Sequence, residues 1–63
     1  MGKRSWLIEK RKEMNLLQKE VAAAAGISVQ LYSSIETGAR RPSPDVAKKV
    51  AGYLGFPWTR FYE

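Results

Sequence analysis

Amide and hydroxyl side chains recur at helical spacing in the middle of the chain, and they are well suited to specific hydrogen bonding. On a 100° helical wheel, one outward face is formed by five side chains: Gln30, Ser33, Ser34 and Thr37, with Val29 at the edge. A helix face that meets only solvent usually carries Lys and Glu, whereas this face is short-chained and almost uncharged. The pattern therefore predicts contact with a partner that has its own hydrogen-bond donors and acceptors.

Two short helices joined by a tight turn are predicted to position this face. Gly26 follows an alanine-rich helical run, and glycine tolerates the positive φ at which a helix ends and the chain reverses. Ser28 is a good N-cap for the second helix of the pair, and Ile27 and Tyr32 occupy the two positions of a hydrophobic staple. Ala22, one turn before the glycine, leaves room for the two helices to cross closely.

The spacing of these residues resembles that of a known family. The positions that carry the motif are Gln18, Ala22, Gly26 and Ile35-Glu36, and the flanking matches are Arg11, Glu36-Thr37-Gly38, Arg41-Pro42-Ser43 and Leu54-Gly55. Together they resemble the helix-turn-helix of the lambda-repressor-like family of phage repressors, Cro proteins and related bacterial regulators. The resemblance extends over residues 6–62. It implies an all-α fold, a compact bundle of five short helices in which helices two and three form the helix-turn-helix.

The resemblance also implies a sequence-specific regulator that binds double-stranded DNA with its third helix, residues 29–36, in the major groove. An α-helix about 10–12 Å across fits that groove. Gln30 is then expected to contact a base, because one amide can accept from adenine N6 and donate to N7. Ser33 and Ser34 can serve either a base edge or a phosphate. Val29 is expected either to meet a thymine methyl or to lie half-buried against helix two.

Phosphate contacts are expected on both sides of the third helix. Gln18 stands at the start of helix two, where free backbone N–H groups and the helix dipole attract an anion. The other side chains expected to contact phosphate are Lys19, Ser28, Thr37, Arg40 and Arg41. For the charged members the alternative is contact with solvent alone. Family repressors bind as homodimers to two-fold symmetric operators, so a homodimeric repressor is the expected form.

Arg11 and Glu36 differ from these because both fall at helix positions that point toward the centre of the bundle. The resemblance implies a salt bridge between them that ties helix one to the end of helix three. Its role would be structural, because it would fix the third helix relative to the rest of the domain. The alternative is two unrelated surface charges.

Size and composition restrict the function further. The 63 residues are expected to form one domain, residues 1–63, near the lower size limit for a core without disulfides or metal. The chain has neither cysteine nor histidine, so we expect no enzyme, no metal site and no cofactor. With 11 Lys and Arg against 6 Asp and Glu, the net charge of +5 favours a polyanionic partner. Without a signal peptide or a membrane-spanning run, a cytoplasmic location is expected.

Capping residues set the expected helix boundaries. Helices are predicted at residues 3–14, 18–25, 29–36 and 44–54, followed by a short helix that begins at Pro57. Ser5 is expected to cap the first helix, Asn15 to end it in a left-handed conformation, and Ser43 to cap the fourth. Leu17 departs from the family, which usually has Ser or Thr there, and a missing cap costs about 1 kcal/mol. Residues 39–43 form a basic connector between helices three and four.

The last helix places Trp58, Phe61 and Tyr62 at positions i, i+3 and i+4. This spacing is typical of a core-facing stripe, and a self-association surface or a stacking platform for single-stranded bases with Arg60 are the alternatives. The aromatic stripe, with the apolar residues Val29 and Leu31 of the third helix, also motivates a second functional hypothesis. Under that hypothesis the chain is a protein-interaction module, such as an antitoxin-like partner protein.

Overall fold

The computed structural model describes residues 3–63, which form four α-helices followed by a 3-10 helix. The elements are α1 (Ser5–Glu13), α2 (Gln18–Ala25), α3 (Val29–Thr37), α4 (Pro44–Leu54) and the 3-10 helix (Trp58–Tyr62). The predicted all-α fold is confirmed, although the last element is a 3-10 helix, the form that very short helical segments often take. None of the helices in the described part of the chain is long and apolar enough to cross a membrane.

The core forms around α2, which packs against both α3 and α4, while α4 also packs against the 3-10 helix and α1 against α3. The fully buried side chains include Leu7 of α1, Val21 of α2, Tyr32 and Ile35 of α3, and Ala47 and Val50 of α4. Ala22 and Ala25 are each 2 % exposed on the buried side of α2, whereas Ala23 and Ala24 face solvent. Two of the three buried side chains of α2 are therefore alanines, and Ala22 is buried as its predicted close packing requires.

The turn between α2 and α3 has the predicted chemistry. Gly26 has a φ of 70°, and the backbone N–H of Ile27 donates to the Ala22 carbonyl at 3.0 Å, which ends α2. Ser28 then begins α3, because its Oγ accepts from the Leu31 N–H at 3.1 Å. The position at which α3 begins is therefore set by the residues immediately before it.

Two details of α1 differ from the prediction. Ser5 is the first helical residue rather than the N-cap, which is Arg4. The Arg4 backbone N–H donates to the Glu36 carbonyl at 2.8 Å, so the chain is attached to the end of α3 before α1 begins. The helix also ends at Glu13 rather than at residue 14, and Met14, its C-cap, is 45 % exposed. Asn15 has a φ of 57°, the left-handed conformation predicted for it.

The N-terminus of α2 is only half capped. Leu17 occupies the N-cap position and its side chain has no hydrogen-bond acceptor, as the sequence indicated. The Glu20 carboxylate accepts from the Leu17 backbone N–H at 2.7 Å, which satisfies one of the donors at this end. In α4, by contrast, the Ser43 Oγ accepts from the Val46 N–H at 3.3 Å.

Candidate nucleic-acid interface

The five side chains predicted to share the outward face of α3 lie together on the surface of that helix. Gln30, Thr37 and Val29 are exposed, the last by 37 %, and Ser33 and Ser34 are half-buried. Tyr32 and Ile35, on the opposite side, are completely buried. The core therefore anchors α3 from behind, and the helix presents amide, hydroxyl and methyl groups outward.

The hydroxyl groups on this face differ in what they can offer a partner. The Ser34 hydroxyl donates to the Gln30 carbonyl at 2.9 Å, and the Thr37 hydroxyl donates to the Ser34 carbonyl at 3.1 Å. Their hydrogens are directed at the helix backbone, so their lone pairs remain for a partner. Ser28 is the reverse case, because its oxygen accepts from the Leu31 N–H and its hydrogen is left to donate. Ser34 and Thr37 are therefore suited to accept hydrogen bonds and Ser28 is suited to donate one.

A surface depression of ≈ 300 Å³ lies beside α3. Its lining side chains are Ser28, Gln30, Leu31, Ser34 and Arg40. Arg40 comes from the connector, and its backbone N–H donates to the Ser34 carbonyl at 3.1 Å. Two residues expected at phosphates, Ser28 and Arg40, thus lie next to residues expected at bases, on the same side of the molecule.

At the start of α2, Gln18 is not a freely solvated side chain. Its Nε2 donates to Oε1 of Glu36 at 2.8 Å, which links the first residue of α2 to the last turn of α3. The backbone N–H groups of Glu20 and Val21 both donate to the Leu17 carbonyl. The backbone N–H groups of Gln18 and Lys19 lie at the N-terminus of α2, where binding of an anion is favoured. The Gln18 amide retains a second N–H, so it can bond to Glu36 and to an anion together.

Arg40 and Arg41 are both exposed on the connector, while Pro42 beside them is buried. The Tyr62 hydroxyl donates to the Pro42 carbonyl at 2.7 Å. The Arg41 guanidinium carbon lies 5.4 Å from the centroid of the Tyr62 ring, within the range of a cation–π contact. The connector is therefore attached to the C-terminal 3-10 helix, and both of its arginines remain accessible.

The structure pairs Arg11 with Glu36 in the interior, where they are 9 % and 2 % exposed. Arg11 donates through Nε to Oε2 at 2.6 Å and through Nη2 to Oε1 at 3.1 Å, a two-pronged geometry that fixes both side chains. Its Nη1 donates to the Leu16 carbonyl at 2.9 Å. The guanidinium thus joins α1, the segment before α2, and the end of α3.

Electrostatics keep this pair charged. Burial disfavours the carboxylate of Glu36, but hydrogen bonds, above all from Arg11, outweigh it and hold the pKa of Glu36 below its ordinary value. The hydrogen bond to Glu36 likewise raises the pKa of Arg11 despite burial. The Tyr32 hydroxyl lies in the same region and finds no hydrogen-bond partner among residues 3–63. Burial, and then the Glu36 carboxylate, raise the pKa of Tyr32 far above its ordinary value, so the phenol stays neutral.

Arg4 also belongs to this region, although no motif in the sequence indicated this role. Its Nη1 donates to the Ile35 carbonyl at 2.6 Å and to the Arg40 carbonyl at 3.1 Å. A guanidinium at the C-terminal end of α3 also complements the helix dipole. An arginine at the start of one helix carries no signal for partners more than 30 positions away, so only the folded chain identifies it.

The aromatic residues cluster on the side of the molecule formed by α1, α4 and the 3-10 helix. Trp6, Phe56 and Phe61 contact one another with centroid distances of 5.1 to 5.5 Å, and Phe61 is 5 % exposed. Side-chain cations lie over the outer rings: Arg60 over Trp6 at 4.4 Å and Lys48 over Trp58 at 4.9 Å. The predicted core role of the last helix therefore holds for Phe61, and the half-buried Trp58 ring has a cation over it.

Comparison with known proteins agrees with this architecture. A family model described as helix-turn-helix matches residues 7–61. The uncharacterized HTH-type transcriptional regulator YqaF of Bacillus subtilis (strain 168) is 48% identical over 60 residues, which cover 95% of this chain and 79% of that protein. No solved structure matches the chain with significance. The chain therefore belongs to the lambda-repressor-like helix-turn-helix family of DNA-binding transcription regulators.

Proposed function

We propose that the chain recognises a specific sequence in double-stranded DNA by inserting α3 into the major groove. The observation that carries this proposal is the exposed, uncharged polar face of α3 with Arg40 beside it. A helix with its side chains is about as wide as the major groove, about 12 Å, and each base pair presents a distinct pattern of donors and acceptors there. The buried Tyr32 and Ile35 hold α3 from behind, so this face is available to a duplex.

Base recognition is assigned to Gln30, Ser33, Ser34 and Val29. Gln30 is exposed, and its amide can make the paired hydrogen bonds that distinguish adenine. The Ser34 hydroxyl accepts while its hydrogen is bonded to the Gln30 carbonyl, so its natural partner is the amino group of adenine or cytosine. Val29, at 37 % exposure, offers a methyl surface for thymine.

Most of the affinity for DNA is assigned to contacts between phosphates and side chains around α3. The contacting groups proposed are Gln18 and Lys19 at the start of α2, Ser28 and Thr37 at the ends of α3, and Arg40 and Arg41 on the connector. The free hydrogen of Ser28 suits a phosphate oxygen, whereas Thr37 must first release the Ser34 carbonyl. These groups lie on more than one element, so together they would fix the orientation of α3 on the duplex.

We further propose that the protein acts in the cytoplasm as a homodimeric repressor that occupies a two-fold symmetric operator. Two copies on one face of a duplex require half-sites about 34–36 Å apart, one helical turn. Tyr53 of α4 is 43 % exposed, and Trp58, which follows shortly after it in the sequence, is half-buried. These two aromatic side chains offer apolar surface for self-association. The single domain of residues 1–63 would then be the DNA-binding unit of each subunit.

Selection of duplexes from a random pool, followed by affinity measurements on variants, tests the proposal. Gln30→Ala should weaken binding to the selected sequence by about tenfold and relax discrimination at one base pair, because a paired amide–adenine contact is lost. Arg41→Ala should weaken binding to all sequences to a similar degree. Thr59→Ala and Arg60→Ala, exposed positions on the 3-10 helix, are the matched controls. If Gln30→Ala and Arg41→Ala behave like these controls, the assigned interface is wrong.

A second candidate function, an antitoxin-like interaction module, is favoured by exposed apolar side chains near the start of α2. Leu17 is 57 % exposed and Met14 is 45 % exposed. A protein partner could cover both, because large exposed apolar side chains gain from burial. Purification from the native host without DNA decides between the two functions. A stoichiometric protein partner, with no selected DNA sequence, would favour the second.

A further inference from the structure

The connector is attached to the rest of the molecule by residues from both ends of the chain. From the N-terminal side, Nη1 of Arg4 donates to the carbonyls of Ile35 and Arg40, at 2.6 and 3.1 Å. One side chain thus joins the last turn of α3 to the first part of the connector. The hydrogen bond from the Arg40 backbone N–H to the Ser34 carbonyl, at 3.1 Å, lies at the same junction.

From the C-terminal side, Tyr62 makes two separate contacts with the connector. Its hydroxyl donates to the Pro42 carbonyl at 2.7 Å, and its ring lies 5.4 Å from the Arg41 guanidinium carbon. Trp58 packs edge-on against the same ring, with centroids 5.9 Å apart. The ring that holds Arg41 is therefore itself fixed by the 3-10 helix.

We propose that Arg4 and Tyr62 are positioning residues that hold the connector, with Arg40 and Arg41, in the conformation that meets the DNA backbone. This inference rests on the proposed function, because it assumes that these arginines contact phosphate. Arginine side chains on an unconstrained loop lose conformational freedom when they bind, and that loss subtracts from affinity. A connector that is hydrogen-bonded on both sides loses less conformational freedom on binding. Its arginines therefore bind phosphate more tightly than arginines of the same charge on a free loop.

Tyr62→Phe is the sharper test because it removes one oxygen and no charge. We expect affinity for the selected duplex to fall about three- to tenfold, since one neutral hydrogen bond holds the Pro42 carbonyl. We also expect the slope of log affinity against log salt to become shallower by up to about 0.9 per subunit, the value for one lost phosphate contact. Thr59→Val, which removes an exposed hydroxyl from the same 3-10 helix, is the control and should change neither quantity. A Tyr62→Phe variant with the wild-type affinity and salt slope overturns the positioning role of Tyr62.

Arg4→Met is paired with Arg60→Met. Each change removes one positive charge and one cation–π contact, since Arg4 lies over Phe61 at 5.8 Å and Arg60 over Trp6 at 4.4 Å. Only Arg4 bonds to the end of α3 and to the connector. We expect Arg4→Met to lower affinity by about tenfold and Arg60→Met by no more than about threefold, because charged hydrogen bonds are the stronger ones. Equal losses would mean that Arg4 acts only through its charge, which overturns its positioning role.

Loss of folding is separated from loss of positioning by measuring circular dichroism melts of every variant. Binding is then compared at a temperature at which each variant is fully folded. If Arg4→Met does not fold, Arg4→Lys replaces it: the charge is kept but the planar fork is lost, and weaker binding is still expected. If the wild-type protein selects no duplex at all, the proposed function fails, whereas wild-type binding with unaffected Arg4 and Tyr62 variants refutes only this inference.

Discussion

At the scale of single residues, Glu36 is the side chain through which the ends of several helices are joined. It accepts hydrogen bonds from Arg11 of α1 and from Gln18 of α2 while it lies in the last turn of α3. A buried charge without a partner is strongly unfavourable, and both donors favour the ionised carboxylate in the interior, Arg11 more than Gln18. The orientation of α3 therefore depends on a polar contact as well as on apolar packing.

Removal of one partner should destabilise the protein strongly. We expect Arg11→Met to lower the free energy of unfolding by about 3–5 kcal/mol, because Glu36 is left buried and unpaired. Urea denaturation followed by circular dichroism measures this change. The control is Lys49→Met, which breaks an exposed pair with Asp45 at 3.3 Å and should cost less than about 1 kcal/mol. Similar costs for the two variants would show that the interior pair contributes no more than a surface pair.

The same pair makes stability depend on pH at the acid end. The pKa of Glu36 is below its ordinary value of 4.5 in the folded protein, so the unfolded chain takes up the proton first as the pH falls. The contribution of Glu36 is fully present above about pH 4.5 and is lost as the pH falls through the lower, folded value. Denaturation curves between pH 7 and pH 2 should show this loss. Glu36→Gln should flatten the curve there, and an unchanged slope in that variant would contradict the assignment.

At the scale of elements, local sequence sets the boundaries of α2 and α3 more firmly than those of α1. Gly26, Ser28 and Ser43 act within one turn of their own positions, so their roles were predictable from neighbouring residues. The start of α1 was predicted wrongly because Arg4 is held by Glu36, Ile35 and Arg40, which lie far away in the sequence. The C-terminal element was predicted as a helix, and its 3-10 form was not predicted.

The incomplete cap of α2 gives a prediction at this scale. Leu17→Ser should raise the free energy of unfolding by about 1 kcal/mol, because a hydroxyl oxygen can accept from a free N–H in the first turn. The backbone of Leu17 is already extended, with φ −87° and ψ 156°, and its side chain is 57 % exposed, so little packing is lost. Thermal denaturation measures the change. Ser43→Ala, which removes the existing cap of α4, should lower the free energy of unfolding by a similar amount. A Leu17→Ser variant less stable than the wild type would refute the claim that α2 lacks only a side-chain cap.

At the scale of the whole molecule, charge and shape act together. The chain carries a net charge of +5, and the proposed phosphate contacts come from α2, α3 and the connector. Since the core is small, few interactions hold these elements in place, and the contacts of Arg4, Arg11 and Tyr62 that join distant segments matter correspondingly more.

Salt dependence tests the proposed interface as a whole. If about four phosphates are neutralised per subunit, log affinity should fall against log salt with a slope of about −3 to −4 per subunit, and twice that for a dimer. Fluorescence anisotropy with a labelled duplex at several salt concentrations measures the slope, and sedimentation gives the oligomeric state. A slope near zero would be inconsistent with phosphate contacts as the source of affinity.

The sequence by itself determined the all-α fold, the turn at Gly26, the outward face of α3 and the central positions of Arg11 and Glu36. These features depend on helical periodicity and on capping chemistry, which act over a few residues. Only the tertiary structure decided which side chains meet: that Gln18 bonds to Glu36, that Arg4 holds the end of α3, and that Tyr62 holds the connector. Such contacts join residues 18 to 36 positions apart, and their geometry exists only after the helices have packed.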